Sequence, residues 1–332
     1  MIYHICRGDA EFSSRIILQK SFIESTKQVV IDKLPYVYFN LYKKAQEGDV
    51  FIFHQHAMLI NLVIFYFFTK VINRKSDVLI VFDIHDLNEI KYNITLKGYI
   101  YYAVLFLLES IVFKLDIKFM TVSNGLSKIL YKSYGIVAPI VYNIPIITDY
   151  HSSNSIVNEI CKKKELVYFG QINQNRLPIE VVNRLLADSK LDVYGYLSGE
   201  SEEYLMEFNS LKGHENFRFL GKYKPRDVSQ LLRNYDFSVI FLSDNRLNIR
   251  YCMPNKLFQS LSCDVPVIAS DNLFEIGLNF SSSGYVISVT DYLSKNMNNK
   301  NSDELNIKLT GFYEKSKRNF VFLTSNKASS GR

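Results

Sequence analysis

The chain has 332 residues, 48% hydrophobic, 14% aromatic and 22% charged, with 14 glycines and 7 prolines. Such a composition can fill two cores at about 150 residues per domain, and it excludes a disordered or collagen-like chain. The net charge of +6 is spread evenly over both halves with no basic arm and no nucleic-acid motif, which argues against a nucleic-acid partner and leaves phosphorylated ligands or an anionic membrane surface open.

Cys6, Cys161, Cys252 and Cys263 show no CxxC spacing, so reduced thiols in a cytoplasmic protein are expected. The start, MIYHICRGDAEF, lacks a basic stretch leading into an apolar one, and no signal peptide is expected. In chain order, short apolar runs predict strands at 2–6, 28–31, 50–54, 78–82, 119–122 and 140–142. Longer amphipathic runs between them predict helices at 12–24, 36–46, 57–72, 96–114 and 126–134. The apolar stretches 57–69 and 99–108 fall short of the ~18–20 residues a membrane span needs. They read as buried helices or as interfacial helices with Tyr and Phe at the headgroup level.

A polar stretch ending in three lysines, TDYHSSNSIVNEICKKK, breaks this pattern. Residues 1–150 are therefore predicted as one domain, 151–164 as a linker and 165–332 as a second domain with a terminal helix. The second series has strands at 166–169, 191–194, 217–220, 237–241, 265–269 and 285–289, with helices at 178–187, 202–211, 225–234, 254–262 and 303–317. Proline at the start of three of these helices suits a first helical turn. Alternating strands and helices predict an α/β protein of two tandem Rossmann-like domains, each with a parallel sheet. Ligands of such sheets bind outside the carboxyl ends of the strands, here in an interdomain cleft.

The sequence has no GxGxxG, no P-loop, no GxSxG and no Asp-x-Asp pair. The last absence argues against a metal held by such a pair, so no metal is expected. The segment RLNIRYCMPNKLFQSLSCDVPVIASD is the richest in chemistry. Its arginines, Arg250 among them, precede a helix opening at Pro254-Asn255-Lys256, whose free N–H groups favour a pyrophosphate. Lys256 adds a charge, and Gln259, one turn on, is suited to a ribose diol; an ordinary Pro-started helix with an exposed lysine is the plain alternative. His54 and His56, after a strand, are candidates for acceptor contact, for metal binding or for plain packing. Arg7-Gly8, after the first strand, are candidates to line an acceptor pocket. His85 either faces the cleft or sits as a loop histidine capped by Asp86.

The run PNKLFQSLSCDVPVIAS resembles the donor-site helix of GT-B bacterial glycosyltransferases, especially retaining glycosyltransferase family 4 and short glucosyl- and galactofuranosyltransferase-like relatives. LVYFGQINQNR, FRFLGKYKPRDVSQLLRNYDFSVI, TVSNGLSKILYKSYG and VFDIHDL resemble further segments of that family, in its order, over roughly residues 50–290. The family has two glutamates eight residues apart; here those positions hold Tyr251 and Gln259. Its phosphate-binding Arg and Lys fall on Gln171 and Arg176, and Asp264 stands where glycine is usual. The resemblance implies the GT-B fold, and it implies transfer of a sugar, with retention, from a nucleotide diphosphate donor to a glycan hydroxyl in surface polysaccharide or glycoprotein glycan synthesis. UDP is the expected donor nucleotide, and the nucleotide sugar is a substrate, with no further cofactor. It also implies that His85 and Asp86 are catalytic and that Tyr223 packs on the base. A glycan or lipid-linked glycan acceptor and a position on the inner face of the cytoplasmic membrane follow by analogy. Two alternatives stay open: a nucleotide-sugar 2-epimerase using Asp86 and Glu275, and a non-catalytic partner subunit that has lost the glutamates.

Overall fold

The computed structural model describes residues 1–6, 14–23, 28–31, 43, 45–55, 58–75, 77–89, 95–145, 163–199, 201–224 and 227–325. The chain divides into two compact units, Met1–Asn143 with Gly311–Arg332, and Ile144–Thr310.

The first unit runs β1 (Ile2–Ile5), α1 (Ser14–Ser21), β2 (Gln28–Ile31), β3 (Val50–His54), α2 (Leu59–Tyr66, continued as a π-helix over Phe67–Ile72), β4 (Leu79–Ile84), α3 (Leu96–Val112), β5 (Lys118–Thr121) and α4 (Asn124–Tyr134). Its five strands are parallel, in the order β2-β1-β3-β4-β5. Strand alternation sorts the side chains. Phe51, Phe53, Ile80, Phe82 and Phe119 pack with α2 and α3 in one core. His4, His54 and Asp83 fall on the other face. Side-chain caps fix the helix starts: Thr95 Oγ1 accepts the Gly98 N–H at 3.3 Å, and Ser123 Oγ accepts that of Leu126 at 3.2 Å.

The second unit runs β6 (Lys164–Ile172), α5 (Ile179–Leu186), β7 (Ser189–Leu197), α6 (Glu202–Leu211), β8 (Phe217–Gly221), α7 (Val228–Leu232), β9 (Phe237–Ile240), α8 (Leu247–Arg250), α9 (Asn255–Ser262), β10 (Val267–Ala269), α10 (Phe274–Phe280), β11 (Val286–Ser288) and α11 (Val289–Leu293). Its six parallel strands lie in the order β11-β10-β9-β6-β7-β8, the doubly wound order of a Rossmann sheet. The order reverses between β6 and β9, so the carboxyl end of β6 is the expected ligand position. The terminal helix, α12 (Ser302–Thr324), follows.

Several predicted elements differ from those observed. Residues 140–142 make only one bridge, Thr121 to Ile140, and form no strand. Pro178 and Pro254 cap their helices in extended conformation, one position before the first turn. The short helices α8, α10 and α11 were not predicted, because runs of four to seven residues carry little periodicity. The predicted helix at 36–46 lies almost wholly outside the described residues, as does most of the predicted linker. The last helix runs seven residues beyond the predicted Lys317, and Gly311 onward belongs to the first unit, not the second. The reason is packing: Phe312 meets the Tyr142 ring, Ser316 Oγ accepts the Tyr142 N–H at 2.9 Å, and Asn319 donates to Ile140 O at 2.7 Å.

Candidate functional site

In the second unit, the end of β6 and the start of α9 build one cationic site. Gly170 on β6 pairs with Gly195 on β7. A Cβ on Gly195 would lie 1.8 Å from Gly170 O, so the two backbones approach as only glycine permits. Gly170 has φ +131°, and a Cβ there would fall 2.2 Å from Lys256 Nζ. The lysine, in the first turn of α9, thus seats its ammonium in the space the missing side chain leaves. Its Nζ also stands 4.7 Å from the centre of the Tyr168 ring, within cation–π range. The Tyr168 hydroxyl donates to Gln171 O at 2.5 Å, which ties down the chain as it leaves the strand. Lys256 keeps some surface as a residue, but its Nζ is enclosed between Gly170 and Tyr168. Burial, and next the cation of Arg176, bring its pKa down to about 7.

Arg176 is positioned by a turn in which Asn173 Oδ1 accepts its backbone N–H at 2.9 Å. Asn175 O accepts the Ser243 N–H at 2.8 Å, drawing the end of β9 to the same loop. Pro254 and Asn255 open α9, and Gln259 one turn on lines, with Lys256, Ser238 and Ser260, a void of about 10 Å³. Tyr223 follows β8, meets Phe169 edge-on at 5.3 Å, and lines a pocket of about 410 Å³ with Tyr194, Lys222 and Lys224. Arg250 is exposed, 6.0 Å over the Tyr251 ring, and Tyr251 packs against Phe274. Of the predicted donor residues, Gln171, Arg176 and Lys256 come together; Tyr223 and Arg250 stand on neighbouring loops. The plain alternative of an exposed Lys256 is overturned by its seat on Gly170. Sequence reasoning missed Tyr168 and Gly170; the glycine in YFGQ was the available signal.

In the first unit, the face opposite α2 and α3 carries a buried polar cluster. The β3–β4 register sets His54 beside Asp83, and His85 follows two residues on, on the same face. Asp83 accepts from Arg15 Nε at 2.6 Å and Nη2 at 2.5 Å, from Gln19 Nε2 at 3.0 Å, and from His54 Nδ1 at 3.0 Å. Arg15 also donates to Val141 O at 2.5 Å. Burial alone would raise the Asp83 carboxyl, but the Arg15 guanidinium and the two histidines outweigh it and hold it well below the ordinary range. Burial lowers His54 more than Asp83 raises it, which favours neutral imidazole. Since the carboxylate only accepts, His54 Nδ1 carries the proton and its Nε2 accepts from His4 Nδ1 at 3.2 Å.

His85 Nε2 is buried 3.1 Å from Asp83 Oδ2, off the line of a hydrogen bond, while about a fifth of the side chain is exposed. The solvent-facing part of the ring is therefore the part away from Asp83. Asp86, the expected cap, is exposed, and Asp83 holds this contact instead. His54 is buried with both ring nitrogens engaged, so it is a support and does not reach an acceptor. Arg7, Gly8 and His56 lie outside the described residues. His54, Asp83 and His85 place one ligand atom each within 4.8 Å of the others. A dication there would compete with Arg15 for both Asp83 oxygens, and the fixed guanidinium charge opposes it.

A family model described as Glycosyl transferases group 1 matches residues 163–295. No curated protein matches the chain. Among solved structures, Anabaena HepE in complex with UDP is 13% identical, with a TM-score of 0.59 over 98% of this chain and 93% of that one. Sucrose-phosphate synthase from Thermosynechococcus elongatus is 9% identical, with a TM-score of 0.60 over 98% and 94%. An alpha-glucosyltransferase in complex with UDP-glucose and DNA is 13% identical, with a TM-score of 0.54 over 96% and 94%. The chain has the GT-B fold. Within this GT-B protein the family match covers most of the second unit, the one that holds Gly170, Arg176 and Lys256.

Proposed function

We propose that the protein transfers a sugar from a nucleotide diphosphate donor, UDP-linked, to a glycan hydroxyl, in the building of a bacterial surface polysaccharide or glycoprotein glycan at the inner face of the cytoplasmic membrane. The observation that carries this reading is the ammonium of Lys256 seated on Gly170 at the switch point of the second sheet. In the transfer, the bond from the sugar's anomeric carbon to the diphosphate breaks, the acceptor oxygen bonds to that carbon, and the hydroxyl proton passes to the departing diphosphate. Charge grows on the diphosphate. Lys256, Arg176 and the first N–H groups of α9 are fixed cationic and dipolar groups that can meet it. The pocket beside Tyr223 suits the base. His85, backed by Asp83, is assigned to the sugar as the bond breaks. UDP in the HepE complex and UDP-glucose in the alpha-glucosyltransferase complex support the choice of donor.

Calorimetric titration with UDP and a thermal screen of nucleotide sugars test the reading. A donor at 100 times its dissociation constant adds about 2.7 kcal/mol. Lys256→Ala is expected to weaken UDP by about 10- to 100-fold, the worth of a charge-assisted contact. Unchanged affinity in a folded variant removes the lysine from the site. Transfer is expected to survive EDTA, because protein cations meet the diphosphate; loss with EDTA and recovery with manganese would refute that part.

One feature of the sequence favours a second reading, a non-catalytic subunit: Tyr251 and Gln259 stand where the family it resembles has glutamates. It predicts no UDP binding. The 2-epimerase alternative is weakened, since Glu275, one of its two carboxylates, is buried.

A further inference from the structure

Two neighbouring helices of the first unit turn apolar faces outward. β3, β4 and β5 step in one direction across the sheet, so right-handed crossovers put α2 and α3 on the same side. Both feed the same core, through Leu59, Leu62 and Phe65 on one and Val112 on the other. Their opposite faces meet solvent. On α3, Leu96, Ile100 and Leu107 are 78%, 57% and 61% exposed; on α2 and its π-helical continuation, Phe67 and Val71 are 48% and 51% exposed.

A helix on a globular surface ordinarily turns polar residues outward. Lys97 is the one charged residue among the exposed positions of α3, and its single carboxylate, Glu109, is buried. Tyr99 and Tyr101 beside Lys97 combine rings with polar tips, the composition of a headgroup layer. Lys70 and Arg74 close the α2 segment, and Lys114 follows α3. Asp77 and Asp116, on the loops beyond, lie near enough to act on Lys70, but neither helix itself shows an exposed carboxylate. No helix among the described residues is long and apolar enough to cross a membrane, so contact is with a surface.

We propose that α2 and α3 dock the protein onto an anionic lipid surface, with their outward side chains in the headgroup layer. The inference rests on the part of the proposed function that puts the protein at a membrane, and it names the face. A second copy seated on the same face would bring like cations together; an anionic bilayer neutralises them and accepts the apolar side chains.

The test is flotation of the full chain with vesicles of phosphatidylcholine mixed with phosphatidylglycerol, and with vesicles of phosphatidylcholine alone. Wild-type protein is expected to float with the mixed vesicles, and less with neutral ones or at high salt. Ile100→Glu with Leu107→Glu is expected to lower binding by about tenfold or more, with unchanged circular dichroism and UDP affinity. Wild-type protein that stays at the bottom, or a variant that floats as well as wild type, overturns the proposal. So does a lipid-free dimer that the same substitutions split, which would make the face a protein interface. Vesicle binding without UDP binding would instead sink the transferase reading and leave the docking face standing.

Discussion

Lys256 gives up its proton far more readily than an ordinary lysine. Its pKa of about 7 in the folded protein lies well below the 10.5 of an ordinary lysine. Between those values the unfolded chain binds more protons, so this residue's contribution to stability rises with pH from about 7 to about 10 and is lost as pH falls through about 7. A diphosphate reverses the preference, because it needs the ammonium. UDP binding at about pH 8 is therefore expected to take up as much as about one proton. Calorimetry in two buffers of different ionisation enthalpy reads this uptake, and Lys256→Met should abolish it. Equal heats in both buffers for the wild type would contradict the neutral amine. Gly170 offers a second test at this scale. Gly170→Ala strains a backbone at φ +131° and displaces the ammonium. The backbone part costs about 1–3 kcal/mol of stability. In a Lys256→Ala background the same change should cost no further UDP affinity, and additive losses would show that the lysine does not rest on Gly170.

Between elements, Arg15 fastens α1 to β4 through Asp83. Arg15→Met leaves a buried carboxylate without its counter-charge, and a loss of about 3–5 kcal/mol is expected in thermal or denaturant unfolding. Because the Asp83 pKa is depressed, its stabilisation is present above the ordinary carboxylate range and fades as pH falls below it, so Arg15→Met should also flatten acid unfolding. A variant as stable as wild type would show that the pair adds nothing. His85→Ala should cost less stability, since part of that ring is exposed, and more turnover than UDP affinity. The strands and long helices here were legible from periodicity, and PNKLF marked the cationic helix. Asp83 was not read, although a charge inside the apolar run VLIVFDI calls for a buried partner. That partner lies 68 residues away on another element, and no spacing along the chain reveals it. The seat of Lys256 was hidden for the same reason, because Gly170 and Lys256 meet only once the sheet forms.

Over the whole molecule, both sheets keep a doubly wound order, and each carries its polar site where strands end near a switch point. The last helix binds this plan to the chain's end. Its first turns serve the second unit: Ser302 Oγ meets the Tyr285 hydroxyl at 2.8 Å, and Lys308 donates to Asn279 O at 2.7 Å. Its later turns serve the first unit, where Phe320 is fully buried with its ring 6.3 Å from that of His4. His4 in turn meets His54 and, through it, Asp83. Phe320→Ala opens a cavity beside this polar cluster, and such truncations cost about 3–5 kcal/mol. Calorimetry is expected to show the loss in one transition only. For units of this size, each kcal/mol lowers a midpoint by roughly 2–4 °C. The transition that UDP raises belongs to the second unit and should stay in place, while the other falls. Phe320→Ala should therefore bind UDP normally and lose transfer in step with the first unit's stability. A fall of both transitions together would show that the two units unfold as one cooperative body.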